Sequence, residues 1–195
     1  MIQGDSDDYD LLKKWSKDFD CNGYYSVEIG VREGQGSKII MDNVKNNYLH
    51  IGVDPYGDLD YKHFDDQENY TWTGLEKGKA PTYPDSMRDQ MIADFTEYSR
   101  KGKFHFANMK DSDFMKHNVY SGLMFSFIFL DGPHTTKDVM SEAIWFANRS
   151  AKKTRMIFDD YLHYNMPLIE ECLTYFGFKQ IDRGNNKFCM EKNGN

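Results

Sequence analysis

The sequence predicts an α/β fold: a mainly parallel sheet of seven strands, helices on both faces, and an antiparallel hairpin at the end. Three observations carry this. Short β-branched or aromatic runs alternate with helix-length amphipathic segments, the pattern of parallel strands joined by crossover helices. The run Met124–Leu130 (MFSFIFL) is almost continuously apolar, as a strand covered on both faces must be. The last two strand-like segments, Phe178–Ile181 and Lys187–Glu191, are joined through Gly184-Asn185-Asn186, a turn that folds a strand back on its neighbour.

Taken in order, Asp7–Phe19 reads as an amphipathic helix with Leu11, Leu12, Trp15 and Phe19 on one side, capped by Ser6 or Asp7. Asn22-Gly23 turns the chain into a first strand, Tyr24–Ile29. A helix over Gly36–Asn46 turns Ile39, Ile40 and Val44 inward. The second strand, Tyr48–Val53, stops at Asp54-Pro55, because proline cannot donate to a ladder. Asp85–Arg100 is a helix with Met87, Met91, Ile92 and Phe95 apolar, and Lys103–Ala107 a short third strand. After Met124–Leu130 come a helix (Lys137–Asn148), a strand (Arg155–Phe158) and a helix over Pro167–Phe176 that opens with proline in its first turn. Residues 56–84 break the alternation. They are polar, carry glycine and proline, and hold Tyr56, Tyr61, Phe64, Tyr70, Trp72 and Tyr83. A segment this long without regular structure is an insertion or a lid within the domain.

Length and charge bound the function. A chain of 195 residues is read as one domain, 1–195. It can bury roughly 70% of its unfolded surface without staples. Three scattered cysteines (Cys21, Cys172, Cys189) make neither a disulfide framework nor a zinc site. The acidic first ten residues are not a signal peptide, and no apolar run nears the ~20 residues that span a bilayer. The expectation is a soluble cytoplasmic protein with free thiols and no membrane partner. The net charge of −7, with no basic cluster beyond Lys13-Lys14 or Lys152-Lys153, argues against a nucleic-acid substrate.

The chemistry concentrates at predicted strand ends, where open α/β sheets bind their ligands. The first strand runs into Glu28-Ile29-Gly30-Val31-Arg32-Glu33-Gly34-Gln35-Gly36. Three glycines there let backbone amides approach a ligand closely. The spacing is not the dinucleotide fingerprint, since Arg32 and Gln35 stand where two of its glycines belong, and no window fits a phosphate-binding P-loop. Asp54, after the second strand, can take two hydrogen bonds from a ribose diol or can cap a turn. Asp111-Ser112, after the third, can reach a purine ring or simply form a turn. Asp131, Asp159 and Asp160 end the next two strands. Three carboxylates facing one cleft could not all ionise cheaply. A hard divalent cation resolves that, and it would lower the pKa of a bound hydroxyl. The other reading is that Asp159-Asp160 caps a loop. His134, three residues after Asp131, is a candidate general base or a packing histidine. His163 could line the substrate site; His50, His63, His105 and His117 are read as structural.

Together these residues resemble class I S-adenosylmethionine (SAM) methyltransferases, in particular the metal-dependent branch of catechol-type and macrolide-sugar O-methyltransferases. The likeness spans about Tyr24 to Glu191 and rests on the acidic-x-Gly loop, the ribose acid, Asp131-Gly132-Pro133-His134 and the Asp159-Asp160 pair. It implies a Rossmann-like, doubly wound sheet. SAM would be held by Glu28, Gly30, Arg32, Gly34, Gly36, Asp54, Asp111, Ser112 and Asp131, the acidic strand end suiting that ligand's positive charge. Mg²⁺ would sit on Asp131, Asp159 and Asp160, with His134 and Asp131 as catalytic residues. The acceptor would be a small hydroxylated molecule such as a sugar or diol, and a homo-oligomer is compatible. Three departures stand out: the bulky Arg32-Glu33 in the loop, Pro133 where some relatives carry an acidic or polar base, and Lys152-Lys153-Thr154 where a Gly-Gly usually precedes the fifth strand. Two alternatives differ in class: a metal-independent N- or O-methyltransferase, and a non-catalytic SAM-binding or interaction module using the 56–84 aromatics.

Overall fold

Apolar strands set the centre of the molecule. The computed structural model describes residues 8–57, 64–65 and 84–194. Its strands are β1 (Tyr25–Ile29), β2 (His50–Val53), β3 (Phe104–Ala107), β4 (Phe125–Leu130), β5 (Ser150–Phe158), β6 (Phe178–Arg183) and β7 (Phe188–Lys192). They form one seven-stranded sheet in the order β3-β2-β1-β4-β5-β7-β6. The first five in that order run parallel, and β7 lies antiparallel between β5 and β6. This is the doubly wound sheet with a closing hairpin that the sequence predicts.

β4 is buried at every position, and its side chains divide between two layers. Ile128 and Leu130 pack with Val139, Ala143 and Phe146 of α7 (Thr136–Ala147) and with Ile169 and Leu173 of α8 (Met166–Thr174). Phe127 and Phe129 pack on the other face, against Leu12 and Trp15 of α1 (Tyr9–Ser16) and Ile39 and Ile40 of α2 (Gln35–Asn43). At roughly 1.5–3 kcal/mol per buried large apolar side chain, these two layers supply the main driving force for folding.

Element ends differ from the sequence reading in instructive ways. The expected helix over residues 85–100 is two helices, α3 (Asp85–Asp94) and α4 (Thr96–Arg100), broken at Phe95. That ring is fully buried against the Gly34 turn, so tertiary packing overrides the continuous helical pattern. β5 begins five residues earlier than expected, because Lys152 and Lys153 ride exposed through an irregular stretch of the strand, Lys153 in left-handed backbone. The stretch after β3 contains two short helices, α5 (Asp111–Lys116) and α6 (Asn118–Ser121), too brief to show a period. The proposed caps Ser6 and Asp7, His63, and most of the 56–84 segment lie outside the described residues; α1 begins at Tyr9 after Asp8.

Gly30 explains how β1 and β4 can end side by side. Its φ is +86°, and a Cβ added there would lie 1.9 Å from the Asp131 carbonyl oxygen. Gly30→Ala should therefore lower stability by about 1–3 kcal/mol from overpacking, with about 1–2 kcal/mol more for the left-handed backbone. Gly122, with open space around it and a φ of −96°, is the control. Urea unfolding of both alanine variants checks this, and equal midpoints would refute it.

Candidate functional site

Parallel strands that run the same way end at the same edge, and neighbouring helices leave a crevice where the strand order reverses, here between β1 and β4. That edge carries Gly30–Gly36 after β1, Asp54 after β2, Asp131–His134 after β4 and Asp159-Asp160 after β5.

The glycine turn is braced from below. Asp54 Oδ2 accepts from the backbone N–H of Val31 and of Arg32, both at 2.9 Å, and Oδ1 accepts from Tyr56 N–H at 3.0 Å. The Tyr56 hydroxyl donates back to the Arg32 carbonyl. A carboxylate offers about four acceptor positions, so the three amides leave about one for a ribose hydroxyl. Asp54 is thus first a loop-bracing residue, and the two-bond diol grip is not preformed. Burial also raises its pKa, against the pull of those amides.

Glu28 lies beneath the turn. Its carboxylate is fully buried, accepts from the Ser37 hydroxyl, and occupies the space a Cβ on Gly36 would need. Ser37 Oγ continues to His50 Nε2 at 2.9 Å, and His50 Nδ1 to Ser26 Oγ at 2.8 Å. Burial lowers the His50 pKa to about 3, so this histidine is neutral and structural, as read from sequence. Burial likewise pushes Glu28 up to about 8. Gly34, at φ +91°, opens α2 where a Cβ would strike Phe95.

Asp111 is half-buried at the start of α5, with Ser112 beside it. It faces Glu142 of α7, a buried carboxylate that the sequence reading missed because its neighbours made it look like one polar position of an amphipathic helix. Burial raises both pKa values; the Asp111 charge raises Glu142 further, whereas the hydrogen bond between them pulls Asp111 down.

His134 is buried just ahead of the α7 N-cap, Thr135. Its Nε2 stands 3.5 Å from Asp160 Oδ2 and 4.0 Å from Asp131 Oδ1. The ring lies between Tyr164, parallel within 3° at 6.2 Å, and Phe64 at 5.8 Å. Phe64 also covers His163, at 4.7 Å. Asp65 accepts from Thr136 at the first turn of α7. Of the two described residues in the middle of the 56–84 segment, Phe64 therefore rests on this histidine and Asp65 on the first turn of α7. Burial lowers the His134 pKa to about 4, which leaves a neutral imidazole at physiological pH.

Asp131 and Asp159 adjoin, and burial together with the Asp159 charge raises Asp131 well above the carboxylate range. A second residue that the sequence reading missed is Lys187. It is 0% exposed, and its Nζ donates to Asp159 Oδ1 at 2.6 Å. The same ammonium acts electrostatically on Glu28, Asp131 and Asp160. This arrangement bears on the expected Mg²⁺ site. Magnesium demands near-ideal octahedral oxygen ligation at about 2.0–2.1 Å. With a lysine ammonium seated on Asp159, the set Asp131, Asp159 and Asp160 does not fit that ion, and among the described residues no three His, Cys, Asp or Glu are placed to hold a metal. Lys187 was hidden because it precedes a strand at a hairpin, where lysine is ordinarily solvated.

A family model described as "Methyltransferase domain" matches residues 27–161. Among solved structures, an O-methyltransferase from Bacillus cereus in complex with S-adenosylhomocysteine (SAH) is 11% identical, with a TM-score of 0.56 over 97% of this chain and 82% of that one. The O-methyltransferase TomG from Streptomyces achromogenes, involved in tomaymycin synthesis and in complex with SAM, is 11% identical, with a TM-score of 0.60 over 100% and 82%. The N-methyltransferase NodS from Bradyrhizobium japonicum is 8% identical, with a TM-score of 0.51 over 94% and 91%. No curated protein matches the sequence. No helix among the described residues is long and apolar enough to cross a membrane.

The buried acids make a stability prediction. Glu28 keeps its proton to about pH 8 when folded and ionises near 4.5 when unfolded. Its contribution is thus complete below about pH 4.5 and is lost as pH rises through about 8. Glu28→Gln should flatten the decline of the unfolding midpoint between those values; an unchanged pH profile would contradict the placement.

Proposed function

This chain belongs to the methyltransferase-domain family, and on that premise we propose that it transfers a methyl group from SAM to a hydroxyl of a small polar acceptor. The observation that carries the reading is His134: a buried imidazole beside Asp131 and Asp160, at the end of the sheet where the crevice opens.

When bound, SAM supplies an electrophilic methyl group on a sulfonium. The residues do the rest. The turn Gly30–Gly36, braced by Asp54, presents backbone at the crevice, and Asp54 retains an acceptor position for a ribose hydroxyl. Asp111 and Ser112 flank the place where the adenine would lie, after β3. The excess of carboxylate at this edge favours a cationic ligand. His134 Nε2 takes the proton from the acceptor hydroxyl, and Asp160, 3.5 Å away, stabilises the imidazolium that results. Burial between Tyr164 and Phe64 excludes water from that proton transfer. Holding the acceptor oxygen and the methyl in line supplies much of the acceleration, up to about 7–11 kcal/mol in well-oriented systems. The O-methyltransferase neighbours support oxygen as the acceptor atom.

A second reading keeps Mg²⁺ on Asp131, Asp159 and Asp160. The convergence of those carboxylates favours it, but it requires Lys187 to leave Asp159. The structural likeness to an N-methyltransferase is the one observation on the side of an amine acceptor.

The test uses SAM labelled in its methyl group against a panel of phenols, catechols and monosaccharides. Label should pass to oxygen in at least one, and His134→Ala should lose about 10²–10⁴-fold in turnover with SAM affinity retained. Transfer only to amines, or full turnover without His134, would refute the assignment.

A further inference from the structure

We propose that Lys187 is the resident cation of this site: its ammonium stands on Asp159 where a divalent ion would otherwise bind, so methyl transfer runs without a metal and the acceptor needs one hydroxyl rather than a chelating pair. The inference rests on the methyltransferase reading above and deepens it.

The fold delivers this lysine by register. β5 and β7 pair antiparallel with Phe158 opposite Phe188, so the residue after β5, Asp159, falls opposite the residue before β7, Lys187. The hairpin is pinned independently. Asp8 Oδ2 accepts from the backbone N–H of Asn185 at 2.7 Å and of Asn186 at 3.1 Å, and Trp15 Nε1 donates to Asp182 at 2.9 Å. The rings of Tyr9 and Phe129 lie 5.2 and 5.4 Å from the ammonium, at cation–π range. Lysine is almost never fully buried unless paired, and removing one partner of a buried ion pair leaves an uncompensated buried charge. A lysine 0% exposed on an aspartate 2% exposed is therefore held there by the surrounding structure.

The position matters as much as the pair. The ammonium stabilises the charged forms of Glu28, Asp131 and Asp160 as well as bonding Asp159. A divalent ion would serve the same electrostatic purpose, and the two cannot share Asp159 Oδ1. With one positive charge in place of two, the cluster keeps more negative charge toward the crevice. A metal chelates adjacent oxygens; a buried ammonium bonded to Asp159 does not, so selection for vicinal diols has no basis here. Lys187 acts through Asp159 and is a positioning residue.

Mn²⁺, a hard oxygen-seeking ion read directly by electron paramagnetic resonance, is the probe, applied to the whole chain. The wild type should leave Mn²⁺ free in solution. Lys187→Ala should gain one bound Mn²⁺, and adding Asp159→Asn should remove it; a purely structural lysine would produce neither change. Lys187→Met serves if the alanine variant does not fold, and the wild-type measurement decides without either. Mn²⁺ bound by the wild type and lost in Asp159→Asn would overturn the proposal, as would a folded lysine variant that binds none. Calorimetric titration of SAH into the same samples separates the two levels: absence of SAH binding refutes the methyltransferase reading, whereas SAH binding together with Asp159-dependent Mn²⁺ binding in the wild type refutes the role of Lys187 alone.

Discussion

Carboxylates gather where β1, β4 and β5 end, and the buried ammonium of Lys187 lies among them, bonded to Asp159. Without that charge, the carboxylates of Asp159 and Asp160 would repel within one poorly solvated edge of the sheet. With it, Asp159 is fixed, Asp131 can approach it, and Asp160 is left to face His134 at 3.5 Å. The pair also ties the C-terminal hairpin to the parallel sheet, so the antiparallel end of the fold is part of the site rather than an appendage. A buried salt bridge is weak evidence for net stability, because desolvation offsets its attraction. What it fixes here is an arrangement.

The glycine turn follows a second constraint, close backbone approach. The carbonyl of Asp131 occupies the space beside Gly30 where any side chain would collide, so the ends of β1 and β4 meet directly. Asp54 then takes up two amides of the turn, and Tyr56 closes over it. These contacts shape the crevice before any ligand enters. They also leave Asp54 about one acceptor position beyond those the loop uses.

Much of this was legible in the sequence, because the strands are strongly patterned and their ends are marked by glycine, proline and acid. The seven strands, the closing hairpin, the convergence of Asp131, Asp159 and Asp160, and the placement of His134 beside them all follow from local pattern plus the rule that parallel strands end together. What was not legible depends on partners distant in sequence. Phe95 breaks a helix because Gly34 makes room for its ring. Lys187 reads as the first residue of the last strand, with nothing local to mark it, until the register with β5 places it on Asp159, 28 positions away. Glu142 looks like a surface acid of α7 until α5 covers it. The Mg²⁺ expectation failed to anticipate Lys187 for the same reason: the charge balance of a site cannot be counted from strand ends alone.

The central claim is that this edge of the sheet binds SAM using the chain's own charges. Calorimetric titration of SAM into protein freed of divalent metal by EDTA tests it most directly. Saturable binding of one SAM per chain, unchanged when Mg²⁺ is restored, is the predicted result. No binding in either condition, or binding only after Mg²⁺ is added, would contradict it.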